Sequence, residues 1–140
     1  MAVLQEYKED FILFVEAGFI AVNQADEDSA VKIFRVAELL QPQNTLPAVG
    51  LGYLHLHKLE LKQAVQKFES VLEKEPNNEM AKAFLGIATS MMPNQADKGE
   101  KILEHALKSK DPLIKRLAGT AIDFVERFIK KTPGPAGKSK

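Results

Sequence analysis

The sequence predicts an all-α fold of about seven helices. Three observations predict it: a repeat offset of 34 residues, apolar residues at helical spacing between the repeat marks, and cap residues bounding each apolar run. The offset is carried by Gly18, Gly52 and Gly86, and by the pairs Ala30 and Ala64, Phe34 and Phe68, and Pro42 and Pro76. A fixed period of this length marks a stack of small supersecondary units. Within the first period, Phe11, Phe14, Val15, Gly18, Phe19 and Val22 make one helical stripe, and Ala30, Val31, Phe34, Ala37 and Leu40 make another. Each unit is therefore read as a pair of helices.

Taken in order, the elements are helices near 6–23, 27–40, 45–57, 60–74, 79–91, 96–109 and 112–131. Asp26, Asn44, Asn78 and Asp111 stand where N-caps are needed, and Pro112 follows Asp111 at the first helical position. The recurring small residues have a packing reason. Gly18, Gly52 and Gly86 on first helices, with Ala30 and Ala64 on second helices, let paired helices approach closely, and Phe34 and Phe68 fill the space beside them. The third unit needs one extra residue in the Met91–Asp97 loop to place Gly99, Leu103 and Ala106 at equivalent positions. After it, Leu113, Ile114, Leu117, Ala118, Ala121, Ile122, Val125, Phe128 and Ile129 form an apolar stripe opposite Lys115, Arg116, Asp123, Arg127 and Lys130. That amphipathic helix is expected to cap the apolar end of the stack. The single domain is expected to span 1–131, and the Pro/Gly-rich tail 132–140 to be disordered.

Composition narrows the function classes. The 140 residues are 45% hydrophobic and 27% charged, as in a globular domain, and 19 basic groups balance 19 acidic ones. Bulk charge therefore suggests neither nucleic acid nor anionic membrane as partner. Without Cys there is no disulfide, thiolate metal site or cysteine nucleophile. No uncharged run is long enough to span a bilayer, and the acidic start is unlike a signal peptide, so a soluble, cytoplasmic protein is expected. The charge is uneven: residues 1–40 carry 3 basic and 8 acidic groups, and residues 81–140 carry 12 and 6. Such polarity leaves room for head-to-tail self-association.

No catalytic constellation is found, so an enzyme is not expected. His55 and His57 are two residues apart, about 200° around a helix, and cannot share a metal within it. His105 is expected on a solvated face. Gly137-Lys138-Ser139 lacks the earlier glycine and the following helix of a phosphate loop. Asp26-Glu27-Asp28 is explained by capping at a helix N-terminus. No cofactor or metal is implied.

The repeat resembles the tetratricopeptide (TPR) family, whose helix–turn–helix carries a small residue at position 8, Ala at 20, a large aromatic at 24 and Pro at 32. Unit 11–44 supplies Gly18, Ala30, Phe34 and Pro42; unit 45–78 supplies Gly52, Ala64, Phe68 and Pro76. Unit 79–111 departs, with Gly99 for Ala and Asp111 for Pro. The resemblance implies three TPR-like repeats plus a capping helix in a superhelical solenoid. It further implies that first helices line a concave groove. On this chain those positions are Ile12, Val15, Phe19, Val22, Leu46, Val49, Tyr53, Leu56, Met80, Ala83 and Ile87, with Ser90; Phe84, Met91 and Gly50 adjoin them, and Glu16, Asn23 and His57 form the rim.

The Lys, Arg and Asn residues with which some TPR proteins clamp a peptide carboxylate are missing from these positions. An apolar groove suits an apolar strand or the apolar face of an amphipathic helix. Length, architecture and groove polarity are similar to those of the small cytoplasmic TPR chaperones of bacterial type III secretion, the needle-subunit chaperones above all. That resemblance implies sequestration of a needle-type subunit's helix against premature polymerisation, with a small helical co-chaperone as a second partner. The alternatives are a translocator-type secretion chaperone, an adaptor assembling folded partners, and a groove filled by the chain's own residues 1–10 or by a second copy.

Overall fold

Helical periodicity, broken by turns at regular intervals, folds as an all-helical chain. The computed structural model describes residues 5–131, and among these it contains seven α-helices and no strand. They are α1 (Phe11–Asn23), α2 (Glu27–Leu40), α3 (Leu46–His57), α4 (Leu61–Lys74), α5 (Glu79–Ser90), α6 (Ala96–Ala106) and α7 (Pro112–Phe124). A 3₁₀ turn, Lys8–Asp10, precedes α1, and a π turn, Val125–Ile129, extends α7. Three expected spans are modified by more than one residue. The first helix starts as 3₁₀, the sixth ends at Ala106 rather than 109, and the last finishes in the π turn. The tail 132–140, with Gly137-Lys138-Ser139, lies outside the described residues.

Cap chemistry fixes three of the helix starts. Asp26 accepts a hydrogen bond from the Ser29 N–H at 3.2 Å, Asn78 from Ala81 at 2.9 Å and Asp111 from Leu113 at 2.9 Å. Asn44 sits one residue earlier than an N-cap, because Thr45 occupies that place, yet its side chain still accepts from the Leu46 N–H at 3.0 Å. The turns inside the helix pairs also repeat. Ala25, Leu59 and Asn94 hold left-handed φ angles of 60°, 61° and 61°. The first two are 34 residues apart and the last two 35, whereas Gly52 and Gly86 keep the offset of 34. The extra residue of the third pair therefore lies between Gly86 and Asn94.

By packing, the chain divides into two compact units, Met1–Pro76 and Asn77–Lys140. In the first, α1 packs on α2 and α3 on α4, while α3 also meets α1 and α2. Phe34 and Phe68 are wholly buried. A Cβ added at Gly18 would stand 2.5 Å from the Phe34 ring, one at Gly52 would stand 2.6 Å from the Phe68 ring, and one at Gly50 would overlap Phe34 from α3. Phe34 thus occupies a notch that two glycines on neighbouring helices open. This is the physical content of the glycine–phenylalanine repeat.

In the second unit, α6 packs on α5, and α7 packs on both. Leu103 takes the place of the aromatic: a Cβ at Gly86 would lie 2.8 Å from it. Gly99 is more constrained, because its added Cβ would collide with the backbone of Ser90. Helices α5 and α6 approach there more closely than alanine allows, which accounts for glycine where the first two pairs have Ala30 and Ala64. Ser90 itself is buried and donates its hydroxyl to the Ile87 carbonyl at 2.8 Å. Ser109 is buried too, donating to Glu79 at 2.8 Å and accepting from the Asp111 N–H at 3.0 Å.

Candidate functional site

The predicted groove residues fall on both units, eight on the first and five on the second. In the first, α1, α2 and α3 bring four rings into series. Phe19 meets the buried Phe34 edge to face at a centroid distance of 5.4 Å, Tyr53 lies 5.4 Å from Phe19, and His57 lies 6.2 Å from Tyr53. The series runs from the core to the surface, since Phe19 and Tyr53 are half-buried and His57 is exposed. The Tyr53 hydroxyl donates to Asn23 Oδ1 at 2.7 Å and so joins α3 to the end of α1. Leu46 and Leu56 are half-buried, and Ile12 is 53% exposed. These residues make an apolar ledge with a polar rim of Glu16, Asn23 and His57.

Three other members of the predicted set do not reach a partner from this position. Val15 and Val22 are buried in core clusters of the first unit, and Val49 is buried as well. Residues of α2 cover Val15, and residues of α2 and α3 cover Val22. In the second unit Ala83 is buried against Ala106, Ile114 and Ala118. Phe84, Ile87 and Met91 are half-buried, and Met80 is exposed. Ser90 belongs to the core, as described above.

Residues 5–10 are all exposed, and the 3₁₀ turn among them packs at α1. The remaining candidates are accounted for by local contacts. His55 Nδ1 lies 2.7 Å from Glu60, and Lys58 bridges Glu60 at 3.2 Å and Glu27 at 2.7 Å. His55 and Lys58 together hold the Glu60 carboxyl below the usual carboxylate range, His55 contributing most. His105 is exposed. Among the described residues no group of three or more His, Cys, Asp or Glu is placed to hold a metal ion, and no helix is long and apolar enough to cross a membrane.

The contact that sequence reasoning missed is at the end of α7. The π turn, closed by the Lys130 N–H donating to the Val125 carbonyl at 2.9 Å, delivers Lys130 to three carboxylates. Its Nζ stands 2.5 Å from Glu100, 2.9 Å from Asp97 and 3.1 Å from Glu126. Glu100 is buried and accepts its charge partner there. The three carboxylates push the Lys130 ammonium above its ordinary range, Glu100 first, and Lys130 in turn holds Asp97 low. Glu100 is itself raised by its hydrogen bond with Glu126. The only signal in the sequence was a buried-side acid, Glu100, one residue after Gly99. The cluster ties the last helix to α6. Comparison of the chain with family models, with curated proteins and with solved structures finds no match.

Proposed function

We propose that the chain is a non-enzymatic, protein-binding helical repeat of the TPR kind, a cytoplasmic chaperone whose ledge on α1 and α3 holds the apolar side of an amphipathic helix. The observation that carries this reading is the ring series from buried Phe34 through Phe19 and Tyr53 to exposed His57, with Ile12, Leu46 and Leu56 beside it. A half-exposed aromatic surface on a rigid base suits anchors spaced i, i+3, i+4 and i+7 on a docked helix. The client proposed is a needle-type secretion subunit, whose assembly-prone helix is covered until export. The mechanism is sequestration, with no bond made or broken.

The test is recovery of partners from the native host by the wild-type chain and by the Ile12→Lys and Tyr53→Asp variants. Ile12 is exposed, so its replacement leaves the fold intact while placing a charge on the ledge. Tyr53→Asp buries a carboxylate under the client. The expected result is capture of a small helical subunit that both variants lose. Large folded partners retained by both variants would make the protein an adaptor and the ledge irrelevant to binding. Val49→Asp is unsuitable for this purpose, because Val49 is core and its loss would unfold the unit.

A further inference from the structure

We infer that the chain associates with a second copy of itself head to tail, through the outer face of α1 on one copy and the outer face of α7 on the other. Each face is apolar and exposed. On α1, Leu13 and Ile20 stand out on a face turned away from Phe19, with Leu13 64% exposed. On α7 and its π turn, Leu113, Phe124 and Phe128 do so, with Leu113 75% exposed, and the Phe124 and Phe128 rings stack at 5.3 Å. Helix α1 is apolar around nearly its whole circumference, Glu16 being its one charged residue, which is the pattern of a helix covered on all sides rather than one facing water.

The rims select the partner. Residues 5–23 carry Lys8 against Glu6, Glu9, Asp10 and Glu16, a net charge of −3. Residues 112–131 carry Lys115, Arg116, Arg127, Lys130 and Lys131 against Asp123 and Glu126, a net charge of +3 that the Asp97 and Glu100 partners of Lys130 reduce to +1, with Lys115, Arg116 and Lys131 outside those pairs. Two α1 faces repel each other, whereas α1 against α7 sets acidic groups against Lys115, Arg116 and Lys131 around an apolar centre. The contact is thus heterologous: each copy uses one face of each kind. It is separate from the ledge, which lies on the Phe19 and Asn23 side of α1 and on α3.

The experiment uses two double variants of the full chain in sedimentation velocity, Leu13→Gln with Ile20→Gln, and Leu113→Gln with Phe124→Gln. All four positions are exposed, and circular dichroism checks that helicity is kept. At low salt the wild type is expected to gain mass with concentration, less so at high salt. Each double variant alone is expected to stay monomeric, and an equal mixture to form a discrete one-to-one dimer through the two intact faces. A wild type that stays monomeric over the whole range overturns the inference. So does a double variant that self-associates alone, because its contact would then join like faces, and so does a mixture that stays monomeric.

Discussion

The two units solve the same packing problem with different atoms. In Met1–Pro76, each helix pair closes when an aromatic ring enters a glycine notch: Phe34 against Gly18 and Gly50, and Phe68 against Gly52. In Asn77–Lys140 the ring is replaced by Leu103, the second helix is drawn onto the Ser90 backbone through Gly99, and the last helix is held by Lys130 among Asp97, Glu100 and Glu126. A smaller plug calls for closer backbones, and closer backbones call for glycine on the facing helix. The 34-residue pattern therefore records plug size and helix spacing jointly, and a change in one residue is matched by a change in its partner.

The sharpest way to break this comparison is to empty the plugs. Phe34→Ala should cost about 3–5 kcal/mol, and Leu103→Ala about 2–5, because each leaves a cavity in a closed core. Chemical denaturation checks both, and the Phe34 loss should be the larger since two glycines face that ring. An unchanged midpoint for Phe34→Ala would sink the glycine-notch account. Gly99→Ala is expected to cost about 1–3 kcal/mol by forcing α5 and α6 apart. Ala64→Gly, where the second helix already accepts a Cβ, should cost about 1–2 kcal/mol from helix propensity and the loss of a buried methyl. A gain of stability in Gly99→Ala would show that α5 and α6 are not unusually close, since alanine favours a helix over glycine when nothing blocks its Cβ.

The ionic tie of the second unit gives a pH signature that the first unit's notches lack. Lys130 is raised from 10.5, so its contribution is complete below that pH and is lost as pH climbs through the folded value. Asp97 is lowered from 3.8, so its contribution is present above that pH and is lost as pH falls through the folded value. Glu100 is raised from 4.5, which opposes folding as it ionises and makes the Lys130 charge necessary. Lys130→Met should therefore lower the melting temperature at neutral pH, and adding Glu100→Gln should restore part of it. If the double variant melts lower than Lys130→Met alone, the charge pairing is not what holds α7. The smallest effect sits in a turn. Leu59→Gly should stabilise by about 0.5–1 kcal/mol, since Leu59 is exposed and holds a left-handed conformation that glycine adopts without strain. A loss of stability on thermal melting would mean that Leu59 packs in a way its exposure does not show.

The fold was legible because its signals are local or strictly periodic. Gly18, Gly52 and Gly86 mark first helices, Asp26, Asn78 and Asp111 mark starts, and the displaced Gly99 and Leu103 mark the extra residue near the end of α5. The ledge was legible only in part. Counting positions along a helix separates one side from the other. It does not tell Phe19, at the rim of the buried face, from Val15 and Val22 within it, because burial there is decided by how far the neighbouring helix reaches. The Tyr53–Asn23 bond and the Lys130 cluster were beyond the sequence for another reason: their partners lie about thirty residues away, and no spacing rule links them.

The central claim, that the ring ledge on α1 and α3 is where a helical client docks, is tested most directly by photo-crosslinking in the native host. A benzophenone side chain is placed at His57, on the ledge, or at Glu69, exposed on α4. The account predicts a covalent adduct with one small helical protein from His57 and none from Glu69. An adduct from Glu69 with none from His57 would contradict it.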